Sequence, residues 1–334
     1  MTEKNVRVLL ASRPVGAPKE SDFRLEEAPV PTPGDGQVLV RNLWLSLDPY
    51  MRGRMNAGKS YAAPVELGAV MLGGTVGEVL ASKHPRFAVG DAVVGPLGWQ
   101  THALSDGAGL LKVKPAASVP LSAYLGAVGM PGVTAWYGLH AIGAPKAGET
   151  LVVAAATGAV GSVVGQLAKH HGCRVVGIAG GPEKCDYAVR ELGFDVCLDH
   201  RAPDLAQALR DATPAGVDIY FENVGGPILD LVLARLNPFA RVPLCGLISD
   251  YNATEPYRVR NLASLLVNRV TLRGFIISDH MDVWPKAMAE LAEHVASGRL
   301  RLRESVSEGL PRAPAAFIGL LEGKNFGKAL VKLG

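Results

Sequence analysis

The chain has 334 residues, enough for two domains. Hydrophobic residues make up 48% and charged residues 19%, so a sizeable core can be buried and a disordered chain is excluded. The net charge is only +3 and basic residues form no long run, which leaves no electrostatic footprint for nucleic acid.

The first 115 residues read as short strands separated by turns. "NVRVLLA" is a strand. "PVPTPGDGQVLVRNLWLSL" is a Pro/Gly turn followed by alternating apolar positions Val38, Val40, Leu43 and Leu45. "GGTVGEVLAS", "FAVGDAVVGPLG" and "LLKVKP" continue the pattern, as in a small β-barrel or sandwich. The longest uncharged run is 115–145. Pro120 and Pro131 interrupt it, so a buried loop and helix is expected, not a membrane span. From about residue 121 strands and helices alternate. "LVVAAA", "RVVGIAG", "VDIYFENVG", "ARVPLCGLIS" and "VTLRGFIIS" are strands; "DYAVRELG", "ILDLVLARLN" and "VWPKAMAELAEHVASGRL" are helices. That alternation implies βαβ units and a parallel sheet. The tail, from "LRESVSEGL" to "GKALVKLG", returns to short strands around one helical stretch. The expected fold class is α/β, a small β-domain joined to a doubly wound parallel-sheet domain.

"LVVAAATGAVGSVVGQLAKHHG", residues 151–172, joins a buried strand to a helix through A-x-G-x-x-G, the positions being Ala156, Gly158 and Gly161. Gly172 is its helix C-cap. Strand, glycine turn, helix and strand together form a dinucleotide-binding unit. The glycines allow a tight turn and a close approach of backbone N–H groups to a pyrophosphate, with the helix dipole adding to the attraction. An NAD-binding unit carries Asp or Glu about twenty residues further on. Here the second strand ends "GIAGGPEK". Gly180 and Gly181 leave room, and Lys184 supplies a cation, so the cofactor is read as NADP(H).

No cysteine precedes Cys173, and His84 and His102 lack ligand spacing, so neither a catalytic nor a structural zinc site is expected. Cys173, Cys185, Cys197 and Cys245 form no C-x-x-C pair and are read as reduced thiols. "MTEKNVRVLLASRP" has no signal-peptide apolar region, which adds to the expectation of a cytoplasmic protein. No tyrosine has Lys four positions on, which removes the Tyr-x-x-x-Lys pair of short-chain dehydrogenases. Zinc-free hydride transfer remains.

The set "LDPYMRGRM", "MPGVTAWYGL", "AATGAVGSVVGQLAK", "GPEK", "FENVGG", "CGLISDYN", "GFIISD" and "GKNFGK" spans residues 47 to 328. It resembles the zinc-independent medium-chain dehydrogenases/reductases, in the branch of prostaglandin/leukotriene reductases, alkenal double-bond reductases and bacterial curcumin-reductase-like enzymes. The resemblance implies a GroES-like β-domain, 1–124 with 296–334, and a Rossmann NADP(H)-binding domain, 125–295. It implies reduction of the C=C bond of an α,β-unsaturated ketone or aldehyde by hydride transfer to the β-carbon. It places Gly158, Ala159, Val160 and Gly161 at the pyrophosphate, with Gly180 and Lys184 at the 2′-phosphate. Asn223, the loop Cys245, Gly246, Ile248, Ser249 and Tyr251, then Phe275, Ile276, Ile277, Asn325 and Thr134 line the rest of the cofactor. Where the family often has tyrosine near the adenosine phosphate this chain has His200, which implies NADPH binding that weakens as pH rises. Tyr50 and Tyr251 face the substrate. Tyr251 is the candidate donor to the enolate oxygen and the α-carbon, with a pocket-wall role as its alternative. A homodimer acting on a small molecule is implied, with no metal, nucleic acid or membrane partner. A quinone reductase of the same superfamily and a non-enzymatic NADPH-binding protein are the competing readings.

Overall fold

The computed structural model describes residues 4–114 and 118–333; of the uncharged run 115–145, residues 115–117 lie outside them. The chain divides into two compact units, Met1–Gly126 with Glu304–Gly334, and Ala127–Arg303.

In the first unit β1 (Lys4–Leu10) pairs antiparallel with β2 (Phe23–Pro29). Next come β3 (Val38–Ser46), the short helix α1 (Tyr50–Arg54), β4 (Thr75–Ser82), β5 (Ala92–Gly95), β6 (His102–Ser105) and β7 (Leu111–Lys112). Strand β3 is the hub. Its first half, Val38–Arg41, pairs with β6, and it pairs with β4 along its length. Alternation of Val38 and Val40 puts them in one buried cluster with Val79 and Val93. A second cluster surrounds Trp99, which stacks on Phe23 at 5.6 Å and meets the edge of Phe317 at 5.6 Å.

The second unit opens with α2 (Met130–Tyr137) and then runs β8 (Thr150–Ala154), α3 (Gly161–His170), β9 (Arg174–Ala179), α4 (Pro182–Arg190), β10 (Val196–Asp199) and α5 (Leu205–Ala212). It continues with β11 (Val217–Phe221), α6 (Gly226–Leu233), β12 (Leu236–Leu244), α7 (Ala263–Val267), β13 (Thr271–Gly274) and α8 (Trp284–Ala296). All pairings in its six-stranded sheet are parallel, in the order β10-β9-β8-β11-β12-β13. All five residues of β8 are buried, as a central parallel strand requires. Helix α3 ends as expected. Gly172 has φ +76°, its N–H reaches the Lys169 carbonyl, and the Cys173 N–H reaches Ala168.

After this unit the chain returns to the first with β14 (Glu304–Glu308), α9 (Ala313–Leu321) and β15 (Lys328–Lys332). β15 pairs with β3 through Leu330 and Ser46, so the tail completes the N-terminal sheet.

Three details differ from the sequence reading. The strand through "ARVPLCGLIS" stops at Leu244, because the N–H groups of Cys245 and Gly246 turn to the Glu222 carbonyl instead of extending a ladder. The strand through "VTLRGFIIS" stops at Gly274, where Phe275 and Ile277 turn into the core. Strand β10 and helices α5 and α7 were not anticipated; β10 has only four residues and α7 five, too short for a periodic signal.

Candidate functional site

In a parallel sheet every strand ends at the same edge. Here β9 and β10 lie on one side of β8, while β11, β12 and β13 lie on the other, so the chain reverses direction between β8 and β11. Ligands of open α/β sheets bind at such a switch point, outside the carboxyl ends of the strands. The expected cofactor residues of this unit, Thr134 apart, all follow a strand at that edge. The Asn223 side chain spans the switch, donating from Nδ2 to the Ala154 carbonyl at 2.9 Å.

After β8 the backbone takes a left-handed conformation at Ala155, φ +52°. The Ala155 carbonyl accepts the Gly158 N–H at 2.8 Å. A Cβ on Gly161 would lie 2.3 Å from that same oxygen, so only glycine can begin α3 here. Among the described residues, none accepts the N–H of Ala159, Val160 or Gly161. These donors sit at the positive end of a ten-residue helix, an arrangement suited to a pyrophosphate.

A second cluster follows β9 and β10. Asp199 Oδ1 accepts the N–H groups of Gly181 at 2.8 Å and Arg201 at 3.0 Å, tying the two turns together. Those two backbone bonds hold its carboxyl below the usual carboxylate range. Above Gly180, His200 Nε2 lies 2.9 Å and Arg201 Nε and Nη2 both 3.4 Å from where a Cβ would stand. Glycine therefore forms a floor under an imidazole and a guanidinium. Lys184 on α4 joins them. Its ammonium is held below its usual range, first by burial and next by Arg201. Burial and then Arg201 likewise hold the His200 imidazole down, with Asp199 opposing. Arg201 forms no ion pair with a carboxylate among the described residues. Three nitrogen bases that repel one another over a glycine floor suit a phosphate dianion. The sequence reading named Lys184 and His200 but not Arg201, whose only signal in the sequence is adjacency to His200.

The loops after β11 and β12 are tied by Glu222, which has no exposed surface. Its carboxylate accepts the Tyr220 hydroxyl at 2.6 Å and the N–H groups of Val224 and Gly225, while burial pushes its pKa up. Its carbonyl accepts the N–H groups of Cys245 and Gly246. Ile248 N–H bonds to the Asn223 carbonyl and Ser249 N–H to that of Val224. The Tyr251 hydroxyl folds back over this loop, 3.2 Å from where a Cβ on Gly246 would project. The structure thus brings Asn223, Gly246, Ile248, Ser249 and Tyr251 together. Burial and Glu222 push the Cys245 thiol up to about 12, so it stands as an inert thiol.

Other expected residues are engaged elsewhere. Phe275 is buried against Tyr137 and Phe221, and Ile277 is buried with it, which leaves Ile276 the least enclosed of the three. The Thr134 hydroxyl donates to the Met130 carbonyl of its own helix at 2.7 Å. Tyr50 and Asn325 belong to the first unit. Asn325 Nδ2 donates to the Gly327 carbonyl. The Tyr50 hydroxyl is held well above its ordinary range by burial first, then by Asp48 and Tyr61, with Arg54 opposing. It stays a protonated donor.

Among the described residues, no three His, Cys, Asp or Glu side chains gather as a metal-ligand group. His84 Nδ1 accepts the Arg86 N–H, and His102 is buried with Nδ1 3.1 Å from Thr101 Oγ1.

Comparison with known proteins agrees with this geometry. Residues 6–113 match the N-terminal domain of oxidoreductase, and 159–293 match zinc-binding dehydrogenase. The chain is 53% identical to the NADPH-dependent curcumin reductase of Escherichia coli, over 99% of this chain and 97% of that one. It is 41% identical to the NADP(+)-dependent 2-alkenal reductase of Nicotiana tabacum, over 98% and 97%. The crystal structure of CurA from Vibrio vulnificus in complex with NADPH superposes with a TM-score of 0.94 at 52% identity, covering 98% of this chain and 99% of that one. With its two-unit α/β fold and its glycine turn at the switch point, the chain belongs to the medium-chain dehydrogenase/reductase family, among the curcumin and alkenal reductases.

Proposed function

We propose that the chain is an NADPH-dependent oxidoreductase that reduces the C=C bond of α,β-unsaturated ketones and aldehydes. The observation that carries the cofactor reading is His200 and Arg201 over Gly180, with Lys184 near enough to act on both. The reaction class rests on the identity to the curcumin and 2-alkenal reductases.

The residues present fit NADPH. The cradle that a Cβ on Gly161 would fill takes the pyrophosphate, and the side chains of Lys184, His200 and Arg201 take the 2′-phosphate. When bound, NADPH supplies the hydride that adds to the β-carbon of the substrate. The chain's own residues do the rest. The loop Cys245–Tyr251, anchored through Glu222 and Asn223, orients the ligands, with most of its amides already bonded. The Tyr251 hydroxyl donates a hydrogen bond to the carbonyl oxygen as negative charge develops there in the enolate, where a fixed donor contributes most. A proton then reaches the α-carbon from Tyr251 or water. Tyr50, held protonated, remains a substrate contact.

The protein acts in the cytoplasm as a homodimer. Its four cysteines are free thiols. Among the described residues, no helix is long and apolar enough to cross a membrane. Strand β13 is the outermost strand of its sheet, and all four of its residues are exposed. Beside it in sequence, Leu266 is 82% exposed and Val267 67%. An open edge beside apolar residues fits pairing with a second copy.

The test is NADPH oxidation, followed by absorbance, against a straight-chain 2-alkenal, an aliphatic enone, curcumin and a quinone, each repeated with NADH. Saturated products by mass, with NADPH preferred, are expected. Turnover of the quinone alone refutes the reading. Sizing chromatography yielding a monomer refutes the dimer.

A further inference from the structure

Four histidines of the second unit meet in two pairs, His140 with His171 and His170 with His294. The first pair has the geometry of a ligand set. His140 lies in the π-helical stretch Gly138–Gly143 that prolongs α2, and widened turns of this kind cluster at functional sites. His171 caps the C-terminal end of α3, where its N–H bonds to the Leu167 and Ala168 carbonyls. The two Nε2 atoms are 2.9 Å apart.

The Trp136 carbonyl, which can only accept, lies 2.9 Å from His140 Nδ1, so that nitrogen carries the proton. The neutral ring then has its lone pair on Nε2, the atom that faces His171. A main-chain carbonyl behind a histidine is a common device for fixing a metal ligand's tautomer and orientation. The spacing fits as well. Imidazole nitrogens lie about 2.0–2.1 Å from a bound metal, so two of them on one ion stand about 2.9 Å apart at a right angle and about 3.3 Å apart at a tetrahedral one. Right angles belong to Ni2+ and Cu2+. The rings meet nearly end to end, with centres 5.0 Å apart, and a swing of the exposed His171 brings its lone pair onto the same ion. That ring then carries its proton on Nδ1, the other tautomer of a neutral histidine. The negative end of the ten-residue α3 favours a cation there. From α8, Glu290 accepts the Trp136 indole N–H at 3.0 Å and adds a carboxylate to this surface, while the Lys286 ammonium, 5.5 Å from the Trp136 ring centre, opposes it.

We propose that His140 and His171 form a binding site for a divalent transition metal of the Ni2+ and Cu2+ class, with water completing its coordination. Two protein ligands fall short of the three or four that hold a catalytic or structural zinc, so the ion exchanges freely with solution. When bound it ties the end of α3 to the stretch that follows α2 and stabilises the native state by mass action. The site does not depend on the reductase reading.

The experiment titrates the untagged, chelator-treated chain with Ni2+, which leaves the four free thiols unoxidised. Calorimetry measures binding, and tryptophan fluorescence locates it, because the Trp136 ring lies 4.7 Å from that of His140. Wild type is expected to bind one Ni2+ with quenching, and its melting temperature to rise with added Ni2+. His171→Gln and His140→Gln each weaken binding at least about tenfold. His171→Gln changes an exposed side chain, so it carries the test should His140→Gln fail to fold. His170→Gln, next in the chain and paired with His294, leaves binding unchanged. Trp136→Phe keeps binding and loses the quenching. Absence of binding at millimolar Ni2+ overturns the proposal and leaves only a hydrogen-bonded pair. Binding that survives His171→Gln, or that is lost in His170→Gln alone, also overturns it.

Discussion

Lys328→Met tests the junction that holds the C-terminal strand to the "LDPYMR" segment. Lys328 is 4% exposed; its Nζ donates to Asp48 Oδ1 at 2.9 Å and to the Leu47 carbonyl at 2.7 Å. Asp48 accepts the Ser46 hydroxyl on its other oxygen and is itself buried. Burial holds the Lys328 ammonium below its usual range, and Asp48 opposes that shift. Methionine keeps the apolar stem and removes the charge, leaving a buried carboxylate unpaired. Breaking such a pair costs about 3–5 kcal/mol. At about 2–4 °C per kcal/mol for a domain of about 150–250 residues, Tm falls by roughly 6–20 °C. Circular dichroism melting of the whole chain measures it. The paired change Lys328→Met with Asp48→Leu removes both charges and should recover most of the loss, since two apolar residues of similar size often match a buried ion pair. A single variant within about 2 °C of wild type, or a double variant as unstable as the single, refutes the reasoning.

Four further outcomes are expected. Tyr251→Phe lowers kcat for an enone at least about tenfold with NADPH affinity nearly unchanged, measured by steady-state kinetics and calorimetry; wild-type turnover would make Tyr251 a pocket wall. Lys184→Ala and Arg201→Ala each raise KM for NADPH far more than for NADH, and equal effects on both cofactors would remove their phosphate role. Gly161→Ala weakens NADPH binding at least about tenfold in a fluorescence titration, because its Cβ would press to 2.3 Å on the Ala155 oxygen. His140, His170 and His200 are all held below the ordinary imidazole value, chiefly by burial. The unfolded chain therefore binds more protons than the native one just below about pH 6.5, and stability of the cofactor-free protein falls as pH drops through that range. NADPH opposes the trend, because its 2′-phosphate favours a charged His200. A melting temperature that rises on acidification from neutral pH would contradict this.

Local chemistry made much of the protein legible in its sequence. The unbroken apolar strand at 151–154, the glycine turn and the apolar helix face leave few alternatives to a dinucleotide turn, because each residue's conformation there depends on its immediate neighbours. Gly172 could be read as a C-cap for the same reason. Absence of a carboxylate after Gly180 and presence of Lys184 were equally visible. Arg201 was not. It reaches the Gly180 floor only because β10 lies beside β9, with Asp199 opposite Ala179, a pairing between residues twenty apart.

By itself, then, the sequence determined the two-part α/β layout, the dinucleotide turn and the preference for a 2′-phosphate, since each depends on residues within one turn or one strand. Tertiary structure alone decided three other things. It set the switch point between β8 and β11, which the order of strands in the sheet creates. It brought His200 and Arg201, from the turn after β10, over Gly180 in the turn after β9. It also left Arg54 buried between two rings while saturating Arg52, two residues away on the same short helix. Sequence cannot distinguish those two arginines, because what satisfies a buried guanidinium is supplied by distant segments of chain, and only folding brings them within hydrogen-bond reach.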